Sequence, residues 1–288
     1  MMKLFNNFFF KSKNSNSLVS EFENLKKRTE VEKIFQVIEK FSENSEIRFV
    51  GGCVRKILNK EVFDDIDLAV NLGPNKISEI FKKNNIKFYE TGVEHGTITA
   101  LVNGNKFEIT SLRKDISTDG RHAKVEFFND WYEDASRRDF TINAIYSDLH
   151  GNLYDPFNGK KDLENGEIIF IGEAEKRIKE DYLRILRYVR FFLNYSKKDH
   201  DPIVAKTIKK NLDGLNKISS ERLLDEFKKL VASNNFTNLV NDQFSLDIIK
   251  LIFPQFKNID IFKKLNSFAK QNINKVDFIF LISLMIID

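Results

Sequence analysis

Short segments in which apolar and polar residues alternate dominate the first half of the chain, and this pattern is typical of β-strands with one buried face. Residues 47–50 and 65–70 form two such segments. Two more, GTITALV and NKFEITSL, flank Asn103 and Gly104, a dipeptide that favours a two-residue hairpin turn. Residues 31–43 instead carry apolar positions at helical spacing. The pattern therefore predicts a small mixed sheet with flanking helices.

Helical patterns replace the strands after about residue 165. Residues 173–195 contain neither proline nor glycine and predict one long helix. The segment ISSERLLDEFKKLVAS predicts a second helix, with Ser219 or Ser220 as its N-cap. Between the strands and these helices, the polar residues 113–136 predict a loop with little regular structure.

Asp65 and Asp67 stand two residues apart at the start of a predicted strand. Residues i and i+2 of a strand point to the same face, so the two carboxylates project together and repel each other. A divalent cation such as Mg²⁺ removes this repulsion by accepting oxygen ligands from both. Glu108 lies on another predicted strand and would complete the oxygen ligands of a two-metal site. Taken alone, an Asp-x-Asp pair also occurs in acidic loops, and a polar strand residue such as Glu108 usually faces solvent.

Gly51 and Gly52 follow the apolar segment IRFV and precede a short helical pattern that contains Arg55. This order of strand, tight turn and helix favours a cradle in which backbone N–H groups bind an anion beside the arginine. Without the carboxylate pair, an ordinary turn is the better interpretation of the glycines. Because the pair does follow, the sequence favours a phosphate site next to a metal site.

Composition narrows the class of protein. With 42% hydrophobic and 31% charged residues among 288, the chain has the composition of a globular protein, and its length favours two or more domains. Cys53 is the only cysteine, which excludes a disulfide within the chain and a cysteine-based zinc site. Eight of the 12 arginines lie between residues 113 and 190, where they suit planar contacts to phosphates or bases. Pairing with nearby acids on a solvated face is the alternative for these arginines.

The two ends of the chain show whether the sequence predicts a targeting segment or a membrane-spanning helix. Residues 1–20 contain no acid but also no arginine, and we interpret them as part of a loose N-terminal segment, residues 1–30, of a cytoplasmic protein. The apolar run from Phe278 to Ile287 is ten residues long, too short to cross a bilayer. Its pattern instead predicts a buried helix.

Six ordered motifs between about residues 46 and 232 connect these features to a known family: GGCVR, DID, FEIT, RRDFTINA, EDYLRILRYVR and SSERLLDE. In them the sequence resembles the tRNA nucleotidyltransferases and bacterial poly(A) polymerases, class II of the polymerase-β-like nucleotidyltransferases, and most of all the CCA-adding enzymes. Lys56 departs from the Asp that the family often has there. The resemblance implies an α+β fold, with a nucleotidyltransferase head of small mixed sheet and flanking helices at 31–165, an all-helical neck at 166–232 and a partial helical body at 233–288.

The resemblance also implies a reaction. The family's acids at the positions of Asp65 and Asp67 bind Mg²⁺, and the acid matched by Glu108 assists them. The 3′-hydroxyl of an RNA attacks the α-phosphate of a nucleoside triphosphate, and pyrophosphate leaves. The positions that match nucleotide contacts, or flank them in the glycine turn, are Gly51, Gly52, Arg55, Arg138 and Asp139. Asp139 belongs to the motif associated with ribose recognition.

Asp181, Arg184, Arg187 and Arg190 recur every three residues of the predicted long helix and form a polar stripe on its surface. The resemblance implies that this helix selects the base. Cytosine and adenine each present an amino donor beside a ring-nitrogen acceptor, so a carboxylate from Asp181 and a guanidinium from Arg184 suit both bases. Uracil and guanine present a carbonyl beside an N–H donor and would leave the protein groups unpaired. A solvated charged face is the alternative for the stripe.

We therefore expect the chain to add C, C and A to the 3′ end of tRNA, with CTP and ATP as substrates and Mg²⁺ as cofactor. A poly(A) polymerase, or a partial enzyme that adds only CC or only A, shares most of the motifs and is the first alternative. A catalytically silent RNA-binding protein is the second, against which the acids argue because clustered carboxylates repel phosphate. The apolar end of the chain and the family's usual further helical regions also lead us to expect a shortened form with a weakened grip on tRNA.

Overall fold

The computed structural model of the chain describes residues 15–63, 65–92, 96–118 and 123–286. The chain forms two compact units, the first from residues 1–164 and 169–171 and the second from residues 165–168 and 172–288. The described part of the first unit combines strands with helices, whereas that of the second contains only helices and their connections. The division of the second unit into a neck and a body stays a prediction.

The strands of the first unit are β1 (Ile47–Val50), β2 (Ile66–Val70), β3 (Lys87–Gly92), β4 (Thr97–Val102), β5 (Asn105–Ser111), β6 (Arg113–Thr118), β7 (Ala123–Phe127), β8 (Tyr146–Ser147) and β9 (Leu153–Tyr154). Seven of them form one sheet in the order β3-β4-β5-β2-β1-β8-β9, and β6 pairs with β7 separately. Strands β2 and β5 run parallel, whereas the other described pairs are antiparallel. The predicted mixed sheet is therefore confirmed.

The helices of the first unit are α1 (Ser15–Thr29), α2 (Glu32–Glu39), α3 (Gly52–Leu58), α4 (Pro74–Lys83), α5 (Trp131–Ser136) and α6 (Gly159–Asn165), the last of which ends at the start of the second unit. Apolar residues of α1 to α4 pack against one face of the sheet and form its main core. The β4–β5 hairpin turns through Asn103 and Gly104, both with positive φ (+48° and +77°), as the sequence predicts.

The sequence predicts a loose segment over residues 1–30, and for residues 15–29 that prediction is wrong because they form α1. Phe22 and Leu25 of this helix are 0% and 2% exposed, and the ring of Phe22 lies 5.2 Å from that of Phe49 on β1. A helix with so few apolar residues gains its stability from packing against the sheet rather than from its own propensity. Residues 1–14 lie outside the described residues.

The predicted loop over residues 113–136 is also wrong, since this segment contains the β6–β7 hairpin and α5. Hydrogen bonds between the two backbones pair β6 with β7. The residues of β7 do alternate between apolar and charged, but this pattern is only five residues long and stands in a mostly polar segment. Asp130 caps α5 by accepting the N–H groups of Tyr132 and Glu133 at 2.8 and 3.2 Å. Backbone pairing and a side-chain cap thus form regular structure in a segment whose composition is mostly polar.

The helices of the second unit are α7 (Ala174–Glu180), α8 (Leu183–Tyr195), α9 (Pro202–Lys210), α10 (Ser220–Val231), α11 (Gln243–Ile252), α12 (Ser267–Asn272) and α13 (Phe278–Ile286). Short 3-10 helices connect several of them. The buried residues of this unit include many aromatic side chains, with Phe227 of α10 lying 4.8 Å from Phe253 between ring centroids. No helix in the described ranges combines the length and apolar character that a membrane crossing requires.

Candidate active site

Asp67 and Glu108 occupy directly opposite positions on the parallel strands β2 and β5. Their neighbours Leu68 and Ile109 are buried in the main core, so both carboxylates point to the other face of the sheet. Asp65 is exposed and comes one residue before β2. The parallel pairing therefore brings together the acids of the predicted metal site.

The surroundings of Asp67 raise the pKa of its carboxyl group. Burial and then the Glu108 carboxylate raise the pKa of Asp67 to about 6, with Asp65 adding to the effect and Arg138 and Arg55 opposing it. Neighbouring carboxylates disfavour each other's ionised form. A divalent cation would relieve this conflict, because each carboxylate would then face an opposite charge.

The donor set suits Mg²⁺ better than a metal that needs a cage made entirely of protein ligands. Within the described residues, no three His, Cys, Asp or Glu side chains converge closely enough to hold one ion. Mg²⁺ is commonly bound through one or two carboxylates, with waters and substrate phosphates completing its coordination. Asp65 and Asp67 fit that requirement, and Glu108 beside Asp67 fits a supporting role.

The glycine turn passes directly beside these acids. Gly51 has φ +66° and ψ −120°, a conformation that glycine adopts far more readily than other residues. A β-carbon added to Gly52 would lie 3.8 Å from Oδ2 of Asp67, and one added to Gly51 would lie 3.5 Å from Nη1 of Arg138. The fold thus places the glycine turn, the carboxylate of Asp67 and Arg138 together.

Gly51→Ala is expected to lower both stability and nucleotide addition. Its φ of +66° is strained for an L residue, at a cost of about 1–3 kcal/mol, and relief of that strain would shift the turn beside Arg138. Gly104→Ala is the matched control, because Gly104 also has positive φ, yet nothing lies within 4 Å of the added methyl. Thermal unfolding and single-nucleotide incorporation measure the two effects. Both variants should lose stability, but only Gly51→Ala should lose activity. If the two variants were equally active, the turn would have no role in the site.

Arg55 and Asp139 are buried, with exposures of 5% and 7%. Nη1 of Arg55 donates to the side-chain oxygen of Asn143, and the side-chain amide of Asn143 donates to Asp139 at 2.8 Å. Asp139 also accepts the N–H of Phe140 at 2.8 Å. These bonds tie α3, which follows the glycine turn, to the segment after α5. Contact of either residue with a nucleotide stays a prediction.

In the second unit, the predicted stripe is interrupted at its first member. The single helix predicted over residues 173–195 is wrong, because α7 ends at Glu180 and α8 begins at Leu183. Asp181 is extended between them, with φ −153° and ψ 105°. Its Oδ1 accepts the N–H of Leu183 at 3.1 Å, and its Oδ2 forms an ion pair with Arg222 at 2.7 Å. A side chain that bonds to nearby backbone competes with the helix, which explains the break.

Arg184, Arg187 and Arg190 follow one another along α8, and each pairs with an acid. Nη1 of Arg184 lies 2.7 Å from Oε2 of Glu180. Glu226, which is 2% exposed, pairs with Nε of Arg190 at 2.5 Å and with Nη1 of Arg187 at 3.7 Å. The side chains of Arg184 and Arg190 are only 13% exposed, so a solvated charged face does not describe them.

Sequence reasoning missed the side chains that hold this stripe. Arg222 and Glu226 lie on α10, whose N-cap Ser219 accepts the N–H of Arg222 at 3.4 Å, as its pattern predicts. Arg222 and Glu226 are four residues apart and therefore share one face of α10. That spacing within the motif SSERLLDE marks the face, but only the structure shows that it meets the stripe.

Comparison by sequence matches the chain to two protein families. The family described as Poly A polymerase head domain matches residues 47–169. The family described as Probable RNA and SrmB- binding site of polymerase A matches residues 201–260. The first match contains the glycine turn and the carboxylates, and the second contains α10 with Arg222 and Glu226.

Curated relatives match a large part of the chain. The human protein named CCA tRNA nucleotidyltransferase 1, mitochondrial, is 44% identical over 228 residues, which cover 78% of this chain and 52% of that protein. The CCA-adding enzyme of Lactobacillus johnsonii is 41% identical over 187 residues, which cover 64% of this chain and 46% of that enzyme. The chain thus spans about half the length of the curated relatives it matches.

Solved structures of similar fold carry related names. The Bacillus stearothermophilus CCA-adding enzyme in complex with CTP has a TM-score of 0.65 at 26% identity and covers 87% of this chain, which covers 66% of it. A CCA-adding enzyme in apo form II has a TM-score of 0.70 at 22% identity, with 93% of this chain and 66% of that chain covered. These likenesses confirm the predicted α+β fold with a nucleotidyltransferase head.

Proposed function

Since the chain belongs to the family of tRNA nucleotidyltransferases and poly(A) polymerases, we propose that it adds C, C and A to the 3′ end of tRNA from CTP and ATP. The relatives that are 44% and 41% identical are named for this activity. The observation that carries the proposal is the register of β2 and β5, which sets Asp67 against Glu108 beside Asp65 and the glycine turn.

The proposed reaction joins the 3′-oxygen of the RNA to the α-phosphorus of the nucleotide and breaks the bond from that phosphorus to the leaving pyrophosphate. Mg²⁺ bound by Asp65 and Asp67 would supply charge stabilisation at the phosphates and lower the pKa of the attacking hydroxyl. The protein supplies the two carboxylates in one place and keeps Glu108 beside Asp67. Gly51 and Gly52 let the backbone approach the triphosphate closely, because no side chain occupies that space.

Selection of the base is assigned to Asp181 and Arg184 of the second unit. Two donors already hold the Asp181 carboxylate, the N–H of Leu183 and the guanidinium of Arg222. A carboxylate has about four lone-pair sites, so an amino group of cytosine or adenine is a further donor it can accept. Arg184 is oriented by the carboxylate of Glu180 and by the backbone carbonyl of Arg177, both at 2.7 Å. Both groups are thus held in orientation by the protein, which lowers the entropy cost of binding a base.

Addition assays with each nucleotide separate this proposal from its alternatives. Transcripts of tRNA that end before CCA, after C and after CC would be incubated with CTP, ATP, UTP or GTP singly and with CTP and ATP together. CCA addition predicts C, C and A in order and then a stop. Long A tails would favour the poly(A) polymerase. A stop after CC, or addition of A alone, would favour a partial enzyme. The absence of any incorporation would favour the silent RNA-binding protein.

A cytoplasmic location is part of the proposal as an expectation from the sequence. The human relative at 44% identity is named as mitochondrial. Fractionation of the source cells, with immunodetection of the chain in each fraction, measures the location directly. Recovery in an organelle fraction would contradict this part of the proposal without affecting the chemistry.

A further inference from the structure

A buried acid outside the predicted site binds the arginine that lies beside the glycine turn. Asp134 on α5 is 1% exposed. Its Oδ1 accepts hydrogen bonds from Nε and Nη2 of Arg137 at 2.9 and 2.6 Å. Its Oδ2 accepts hydrogen bonds from Nη2 of Arg138 at 3.2 Å and from the hydroxyl of Tyr146 at 2.8 Å. Each oxygen of one carboxylate therefore holds a different arginine.

Arg138, Tyr146 and Asp134 form a closed triangle of hydrogen bonds. Nε of Arg138 donates to the Tyr146 hydroxyl at 2.9 Å, and that hydroxyl donates to Asp134. The guanidinium carbon of Arg138 also lies 5.2 Å from the centre of the Tyr146 ring. The other end of the guanidinium, Nη1, is the group nearest to a β-carbon added at Gly51. Nη1 of Arg138 also donates to the backbone carbonyl of Asn143 at 3.5 Å. The triangle therefore holds one side of the guanidinium while Nη1 lies beside the glycine turn.

We infer that Asp134, with Tyr146, is a positioning residue that holds the guanidinium of Arg138 against the glycine turn for nucleotide addition. The role in addition depends on the proposed function, whereas the fixed guanidinium is a property of the fold. An arginine side chain has many rotamers, and an unheld guanidinium would spend only part of its time at the turn. Asp134 stabilises the orientation in which the guanidinium of Arg138 lies at the turn, before any nucleotide binds.

The charge state of the network is consistent with a permanent anchor. Burial alone would raise the pKa of Asp134, but the guanidinium groups of Arg138 and Arg137 outweigh it and hold that pKa at about 2. Burial raises the pKa of Tyr146, so its hydroxyl keeps its proton and stays a donor to Asp134. Neither group changes its charge near neutral pH. The ion pair between Asp134 and Arg138 therefore persists across the neutral pH range.

The test compares Asp134→Asn and Tyr146→Phe with Arg138→Met and with the double variants that join each of them to Arg138→Met. We expect Asp134→Asn to lower kcat/KM for CTP and ATP about tenfold and Tyr146→Phe about threefold. Neither should lower it further once Arg138 is replaced, because both act through that guanidinium. Additive losses in the double variants would overturn the inference. Tyr146→Phe keeps the ring and tests the idea if Asp134→Asn fails to fold.

Arg137→Met is the matched control, since it removes the other ion pair of the same carboxylate and leaves the bonds to Arg138 in place. It should lose stability in urea yet retain kcat/KM. A loss of kcat/KM as large as that of Asp134→Asn would make the acid a structural residue only.

A second readout does not depend on activity. Hydrogen exchange at the Arg138 Nε–H, assigned in ¹⁵N-labelled protein by its loss in Arg138→Met, should be slow in the parent and at least tenfold faster in Tyr146→Phe, which removes its acceptor. Asp134→Asn, which weakens the hold on both the hydroxyl and the guanidinium, should also speed it. Unchanged exchange would overturn the inference whatever the enzyme does. If the parent adds no nucleotide but the exchange behaves as expected, the proposed function fails and the anchoring of Arg138 stands.

Discussion

Asp67→Ala is expected to abolish addition of every nucleotide, by roughly a thousandfold or more, because charge stabilisation by a bound metal contributes several kcal/mol and each 1.4 kcal/mol is tenfold in rate. Asp65→Ala should behave in the same way. Glu108→Ala should lower nucleotide addition less, since Glu108 is proposed to assist Asp65 and Asp67 rather than to be one of the two metal-binding acids. Single-turnover incorporation of CTP and ATP into tRNA transcripts, with Mg²⁺ in excess, measures the effect.

The same variant should keep its fold, and that separates lost chemistry from lost structure. Burial and the neighbouring carboxylates disfavour the ionised form of Asp67, so its replacement relieves repulsion in the folded state. We expect the melting temperature of Asp67→Ala without metal at neutral pH to be no lower than that of the parent. Glu90→Gln is the control, because Glu90 is an acid of the same sheet, on β3, and accepts a hydrogen bond from the Ser78 hydroxyl at 3.1 Å. Near-parental turnover of Asp67→Ala would remove the acid from the mechanism.

Asp181→Ala and Arg184→Ala are expected to lose discrimination between nucleotides. The rate of incorporation should not fall for all four nucleotides alike. Without Asp181 the amino group of C or A has no acceptor, and without Arg184 the ring nitrogen has no donor. Each unmatched buried group costs about 1–3 kcal/mol, so discrimination against UTP and GTP should fall by roughly tenfold to a hundredfold or more. Incorporation of each of the four triphosphates, measured singly with the parent and both variants, gives the ratio directly.

The structure adds a control and a refinement to this second test. Lys206→Ala on α9 removes an exposed positive charge from the same unit and should leave the ratios unchanged. Arg222→Ala removes the ion pair that holds Asp181 and should relax selection partly. If Asp181→Ala excluded UTP and GTP as well as the parent does, the carboxylate would have no part in choosing the base.

Features that depend on short spacing were readable from the sequence alone. The alternation of β4 and β5 around Asn103 and Gly104, the glycine turn after β1 and the Ser219 cap of α10 all lie where their local patterns place them. Each is determined by a period of two residues, by a turn that requires positive φ or by a side chain that bonds the next few N–H groups. Neighbours in the chain suffice for such features.

The break at Asp181 shows where local pattern misleads. A segment without proline or glycine predicts a continuous helix, yet a carboxylate that bonds Leu183 N–H and Arg222 is more stable with an extended backbone. Arg222 lies on a different helix, so the pattern of residues 173–195 alone does not predict its ion pair with Asp181. The hairpin of β6 and β7 also departs from the predicted loop, because hydrogen bonds between two backbones pair its strands within a mostly polar segment.

The sequence by itself determined which acids, glycines and arginines this protein carries and the strands and turns on which most of them stand. Only the tertiary structure decided that Asp67 lies opposite Glu108, that α1 packs under the sheet and that Asp134 holds Arg138. The reason is physical. Strand register, helix docking and buried ion pairs join residues far apart in the chain, and their free energies depend on burial and geometry that exist only once the fold has formed.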